Sequence, residues 1–204
     1  MPDAVDLAYP FHGRWLVQNS PANRVPSHGT TAFASSYAID FVPVGPNGRS
    51  APVTLSTLVR REAPDRFPGF GRPVLAPLGG TVVATHAGAA DHDACRGLPS
   101  IGYALTQRRR AAAGWVALAG NHVLIQMDSG IVVALCHLQR DSVCVQPGQR
   151  VRCGDAVGRC GNSGNSTEPH LHLQAFDGLD PDHARPVPIT FDGALARNGQ
   201  VVDL

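Results

Sequence analysis

The chain has 204 residues, 43% of them hydrophobic and 16% charged, with a formal net charge of +1 at pH 7. That length suits one domain with insertions, residues 1–204 as a single unit, better than two full domains, and the composition excludes a disordered chain. The charge balance gives no footing to nucleic acid or a membrane surface as partners, since the arginines are dispersed apart from Arg108-Arg109-Arg110, and a monomer is expected.

The N-terminal stretch, Met1-Pro-Asp-Ala-Val-Asp-Leu-Ala-Tyr-Pro10, lacks the basic start and apolar run of a signal peptide, so the sequence by itself reads as cytoplasmic. Arg14 to Gln18 reads as a strand, followed by a Pro-, Asn- and Ser-rich loop. Tyr37 to Val44 is a second strand, with Tyr37, Ile39 and Phe41 on one face and Ala38, Asp40 and Val42 on the other. Residues 46–70 interrupt the β pattern with a short helix expected over Ser56 to Arg61, capped by Ser56. Pro73 to Leu78 and Thr81 to Thr85 flank Gly79-Gly80 and read as a hairpin.

Residues 86–119 form a second insertion. Within it Ile101, Ala104, Leu105 and Arg108 make a helical stripe over Ser100 to Ala113, Gly114 is placed to end that helix, and the arginine run reads as its wet side. A hairpin follows, Val123 to Met127 and Ile131 to Leu138 around Asp128-Ser-Gly130, then a meander of Val143 to Val145, Arg150 to Cys153 and Ala156 to Cys160. Val187 to Phe191 and a short strand near Val201 close the chain. The fold class is therefore mainly β, an antiparallel sandwich or open barrel-like core carrying two short helical insertions. The five cysteines form no CxxC pair, which argues against a Cys-based zinc site, and most read as small buried residues.

The chemistry concentrates in Gly161-Asn-Ser-Gly-Asn-Ser-Thr-Glu-Pro-His170-Leu-His172-Leu-Gln174. In a strand, His170, His172 and Gln174 point one way, and Leu171, Leu173 and Ala175 the other. The leucines face a core, and the opposite face presents imidazoles suited to hold a metal or carry protons. His137 ends a strand in which Ile131, Val133 and Leu135 share its face, and Ser27-His28-Gly29 with Asp40 adds another polar group. Histidine, carboxylate and histidine with an open position make the catalytic kind of zinc site, and two further histidines suit proton transfer.

On these residues the sequence resembles the lysostaphin-type, LytM-like zinc endopeptidases, built on the duplicated hybrid motif. The resemblance covers about 25–45, 71–85 and 120–176. Gly71-Arg-Pro-Val-Leu-Ala-Pro-Leu-Gly-Gly-Thr-Val-Val83 is similar to the family's hairpin, and His137-Leu-Gln139 with the Val143 to Gly158 run leads to the Ser163 to His172 signature. The resemblance implies one zinc ion per chain held by His28, Asp40 and His172, with His137 and His170 as catalytic histidines. It implies hydrolysis of peptide bonds in peptidoglycan stem peptides or cross-bridges, and a place in the cell envelope or outside the cell. Three departures stand out. Eleven residues separate His28 from Asp40 where the family has HxxxD, Glu168 stands where Gly is frequent, placing a negative charge near the cleft, and Gln174 stands where an acid is frequent.

Two other readings share the fold, an inactive LytM-like regulator that only binds and a histidine phosphocarrier. Asp40 opposes the second, because a carboxylate beside a phosphohistidine is unfavourable. His12, His86, His92, His122 and His183 carry no motif support and read as structural or solvated, and Asp91-His92-Asp93, which could trap a metal in isolation, reads as a solvated loop. The two insertions are expected to wall the cleft, residues 86–119 in particular.

Overall fold

The computed structural model describes residues 4–52 and 54–204, apart from the side chains of Ser56 and Arg108. The Ser56 cap and the wet-face reading of the Arg108 side chain therefore fall outside the described residues. The chain is mainly β. Among the described residues thirteen strands are present: β1 (Val5–Leu7), β2 (Arg14–Gln18), β3 (Ile39–Pro43), β4 (Pro73–Leu75), β5 (Gly80–His86), β6 (Asn121–Gln126), β7 (Val132–Leu138), β8 (Arg150–Val151), β9 (Ala156–Arg159), β10 (Leu171–Phe176), β11 (Pro186–Val187), β12 (Ile189–Phe191) and β13 (Val201–Asp203). The large sheet runs β13-β2-β3-β10-β7-β6-β5-β8, with β11 also paired to β10. Two small ribbons, β1 with β12 and β4 with β9, complete the fold, and every pair is antiparallel except β1 with β12.

Strand alternation decides what each face of the large sheet meets. Ile39, Phe41, Val133, Leu135, Leu171 and Leu173 are fully buried on one face, packed against Val74, Val157, Ile189 and Phe191 of the ribbons. Tyr9, Phe11, Trp15, Phe41 and Phe191 interlock within this core, with ring centroids 4.4–6.0 Å apart, and such ring pairs add about 0.5–1.5 kcal/mol each beyond area burial. The opposite face carries Asp40, His172 and Gln174.

Four expectations of secondary structure differ from the structure. Gly79-Gly80 does not turn a hairpin: neither glycine has the positive φ that tight two-residue turns require, and β4 pairs with β9 while β5 pairs with β6 and β8. Gly80 serves close approach instead, since a Cβ there would lie 2.4 Å from the Gln126 carbonyl oxygen. The meander is likewise reduced. Residues 143–145 form no strand, and β8 and β9 pair with different partners.

Among its described residues the first insertion holds 3-10 turns, Leu55–Leu58 and Pro64–Arg66, in place of a helix over 56–61. The second breaks at Thr106 into α1 (Leu98–Leu105) and α2 (Gln107–Ala111), and Gly114, at φ 87°, leads into α3 (Trp115–Ala119), which the sequence pattern did not reveal. A buried two-pronged ion pair ties the insertions together: Arg96 donates to Glu62 from Nε at 2.8 Å and from Nη2 at 3.0 Å.

Candidate metal centre

β3 and β10 are adjacent and antiparallel, and their register sets Asp40 directly opposite His172. His172 in turn lies opposite Cys136 of β7. The face opposite the core therefore presents Asp40, His172, Gln174 and Cys136 side by side.

His28 arrives from the loop before β3. The eleven residues between it and Asp40 include a 3-10 segment, Ala32–Tyr37, in which Phe33 and Ala34 both take left-handed backbone conformations. This fold of the loop returns the chain so that His28 Nε2 lies 3.0 Å from Asp40 Oδ2. His172 Nδ1 lies 2.9 Å from Asp40 Oδ1. The ligand-capable atoms of His28, Asp40 and His172 all fall within 4.8 Å of one another.

Each of these groups is held from behind. Ser27 Oγ sits 2.9 Å from His28 Nδ1, and Gln174 Oε1 sits 2.9 Å from His172 Nε2. Gln174 Nε2 donates to the Phe33 carbonyl at 2.8 Å, which fixes its oxygen toward His172. Asn19 Nδ2 donates to Asp40 Oδ2 at 2.7 Å. With the second nitrogen of each imidazole engaged, the remaining nitrogen converges on the carboxylate, the arrangement that orients metal-ligating histidines.

The electrostatics follow from burial and proximity. Burial alone would raise the Asp40 pKa, but the His28 and His170 charges and the hydrogen bonds from His172 and His28 outweigh it and hold the carboxyl well below its usual range. Burial would lower His172, yet its contacts with Asp40 and Gln174 raise it. Burial, reinforced by His170 and His172, holds His137 well below the ordinary histidine value.

His137 reaches this face by a device that alternation hides. Leu138 pairs with Asn121 and Leu135 with Val123, so β7 carries one extra residue between them. That bulge sits at Cys136-His137, and His137 takes φ 63°, a left-handed conformation costing about 1–2 kcal/mol for a residue with a Cβ. His137 consequently leaves the Val133/Leu135 face expected for it and turns beside Cys136 into the cleft. Its Nδ1 donates to the Ser163 carbonyl at 2.9 Å. Its ring lies 4.6 Å from His170 and 5.7 Å from His172, centroid to centroid. His170 Nδ1 meets the Glu168 carbonyl at 2.8 Å and Ser166 Oγ at 2.9 Å, leaving Nε2 3.8 Å from Asp40 Oδ1.

The five residues singled out in the sequence thus share one cleft of about 580 Å³, walled by Phe33 on one side and by Ser100, Tyr103, Gln107 and Trp115 of the second insertion on the other. Glu168 does not line it: its Oε2 accepts a 2.5 Å hydrogen bond from Ser50 of the first insertion.

The sequence reading missed Asn19, whose left-handed φ of 49° at the end of β2 is a conformation asparagine tolerates well. It also read Asp91-His92 as a solvated loop. Instead Asp91 Oδ1 accepts from Asn162 N at 2.7 Å, and His92 Nε2 meets the Gly164 carbonyl at 3.0 Å, so this pair braces the signature loop. Of the cysteines, all five are free thiols, with Cys95, Cys136 and Cys160 buried and Cys144 and Cys153 exposed.

Residues 103–182 match peptidase family M23. The chain is M23-like over this stretch. His137, His170 and His172 lie inside the match, and His28 and Asp40 precede it. A 56-residue stretch is 39% identical to the peptidoglycan DD-endopeptidase ShyA of Vibrio cholerae, covering 28% of this chain and 13% of that protein. An 88-residue stretch is 26% identical to the glycyl-glycine endopeptidase ALE-1 of Staphylococcus capitis, covering 43% of this chain and 24% of that protein. The chain therefore spans less than a quarter of the length of these relatives. The catalytic domain of lysostaphin from Staphylococcus simulans superposes with a TM-score of 0.42 at 17% identity, covering 91% of this chain and 95% of that one.

The donor set of His28, Asp40 and His172 suits zinc on its own chemistry. Two imidazole nitrogens and one carboxylate oxygen match the three protein ligands of catalytic zinc, whose bonds of about 2.0–2.2 Å separate tetrahedral ligands by roughly 3.3 Å. Small shifts of atoms that already lie within 4.8 Å of one another reach that spacing.

Proposed function

We propose that this chain is a zinc-dependent endopeptidase that hydrolyses peptide bonds in peptidoglycan stem peptides or cross-bridges. The observation that carries the reading is the convergence of His28, Asp40 and His172 beside two further imidazoles in one cleft. The M23 match and the peptidoglycan endopeptidases among its relatives support the substrate class. The same relatives support action at the cell envelope or outside the cell.

His28, Asp40 and His172 would hold one zinc ion, which when bound would supply a Lewis acid and lower the pKa of water. His137 is the neutral base. Its Nδ1 proton is committed to the Ser163 carbonyl, so Nε2 keeps its lone pair, and the low pKa keeps the ring uncharged near neutral pH. His170 is fixed in the same way by the Glu168 carbonyl, with Nε2 directed into the cleft. The two imidazoles position the attacking water, take its proton and stabilise the oxyanion that forms on the scissile carbonyl. Phe33, Tyr103 and Trp115 narrow the approach, which favours thin peptide segments rich in Gly or Ala over folded protein.

A phosphocarrier role is disfavoured by Asp40, whose carboxylate lies within 3.0 Å of nitrogens of both His28 and His172 and would repel a phosphoryl group on either. The test is hydrolysis of defined wall-type peptides by the zinc-loaded protein, with chelator and with zinc restored. Cleavage abolished by chelation and recovered with zinc is expected. A metal-loaded, folded protein that cleaves none of the stem or cross-bridge peptides would overturn the reading.

A further inference from the structure

We propose that the outer face of the two insertions is a docking surface for an anionic lipid bilayer. The helix α1 has one face on the cleft, which includes Ser100, and one facing away from it. Tyr103 and Ala104 face the cleft, whereas Leu98, Ile101 and Leu105, at helical spacing, stand exposed on the other side. The first insertion extends that surface with exposed Leu55, Leu58 and Val59. The two segments adjoin, since a Cβ on Gly97 would lie 2.6 Å from the Leu58 carbonyl oxygen. Leu55 and Leu105 are 86% and 82% exposed, and these six residues are more than half of the eleven large hydrophobics exposed among the described residues. Concentration of this kind marks an interaction site rather than ordinary surface.

Charge identifies the occupant. Residues 55–61 and 98–111 carry five arginines, Arg60, Arg61, Arg108, Arg109 and Arg110, and no acid. In a chain of net charge +1 the remainder is therefore net negative by four. What the sequence scatters, the fold gathers. Arg60, Arg61 and Arg109 are exposed, and the nearby Arg96 is already neutralised by Glu62. Aliphatic side chains interleaved with the exposed Arg60, Arg61 and Arg109 match the acyl boundary and acidic headgroups of a bilayer, whereas Arg110 is turned to Asn165 and the Tyr103 ring. A soluble polyanion would engage the arginines and give nothing to the leucines. A second copy docked face to face would set arginines against arginines. No described helix is long and apolar enough to cross a membrane, so the association is peripheral. Because α1 forms both this surface and the cleft wall, docking would hold the cleft about one helix diameter, 10–12 Å, from the headgroups.

The test is vesicle flotation of the full chain with phosphatidylcholine alone and with phosphatidylcholine and phosphatidylglycerol in equal parts. Flotation only with the anionic vesicles, weakened by salt, is expected. We expect it to fall about tenfold or more in Leu55→Ser/Ile101→Ser/Leu105→Ser and in Arg60→Gln/Arg61→Gln/Arg109→Gln. Leu105→Ser alone, checked by circular dichroism, keeps the comparison valid if the triple variant misfolds. Several outcomes would overturn the proposal. These are no flotation with anionic vesicles, equal binding to neutral ones, undiminished binding by folded variants of either kind, or a dimer dispersed by the serine variants with no vesicle binding. Equal competition by soluble polyglutamate for the parent and the serine variants would assign the surface to a polyanion instead.

Discussion

Replacing Gln174 with Leu removes the acceptor behind His172 while keeping roughly the same volume. Gln174 is 2% exposed, so water does not replace what is lost. The change strands the His172 Nε2 proton, now 2.9 Å from Gln174 Oε1, and the Phe33 carbonyl, now 2.8 Å from Gln174 Nε2. Leaving one buried polar group unsatisfied costs about 1–3 kcal/mol. Loss of a partner behind a metal-ligating histidine weakens metal affinity by about 10–100-fold, or about 1.4–2.7 kcal/mol. We therefore expect Gln174→Leu to fold with a lowered midpoint of unfolding and to bind zinc at least about tenfold more weakly, measured by competition with a chromophoric chelator. Gln174→Glu keeps the acceptor for His172 and loses only the donor to Phe33, so its zinc affinity should stay nearer the parent. Unchanged zinc affinity in the folded Leu variant would refute the reasoning, since His172 would not depend on its support.

Three further outcomes are expected. His137→Ala and His170→Ala should retain zinc and lose peptide hydrolysis by about a hundredfold or more, and loss of metal in His170→Ala would exchange the roles of the two histidines in the HxH. His122, buried against Trp115 at 4.6 Å with its pKa lowered by that burial, takes up its proton less readily in the native state than in the unfolded chain. As pH falls below about 6.5 the unfolded chain gains a proton that native His122 resists, so stability drops toward acid. In urea titrations from pH 8 to 5, His122→Phe should flatten that slope, by no more than about 1.4 kcal/mol per pH unit. Shortening 98–114 to a Gly/Ser turn should leave zinc bound but broaden or weaken cleavage of defined peptides, and equal rates with equal selectivity would reduce the insertion to decoration.

What was legible in the sequence was what strand periodicity encodes. His170 and His172 alternate with Leu171 and Leu173, and Asp40 with Ile39 and Phe41, so the polar face and the core face were readable before the strands were paired. The same rule misplaced His137, because a single extra residue in β7 reverses the face of everything after it and leaves no mark in the composition. The long return of the chain from His28 to Asp40 depends on left-handed Phe33 and Ala34, residue types that give no warning of such a conformation. Asn19 gave a faint signal, an asparagine at a strand end, but its contact with Asp40 spans twenty-one positions. Pairing of β4 with β9 is likewise non-local and was hidden behind the attractive Gly-Gly turn. The helical detail of residues 46–70 and 86–119 depended on tertiary ties such as Glu62–Arg96 and Cys95 N to Thr167 O at 2.7 Å, which local periodicity does not carry.

The central claim is that His28, Asp40 and His172 form the zinc site despite the long separation of the first two. It is tested most directly by the zinc content of the purified protein after zinc supplementation, beside His28→Ala, Asp40→Ala and His172→Ala. One zinc per chain in the parent, with occupancy lost in each folded variant, is the expected result. A parent that binds no zinc, or an Asp40→Ala protein that keeps full occupancy, would contradict it.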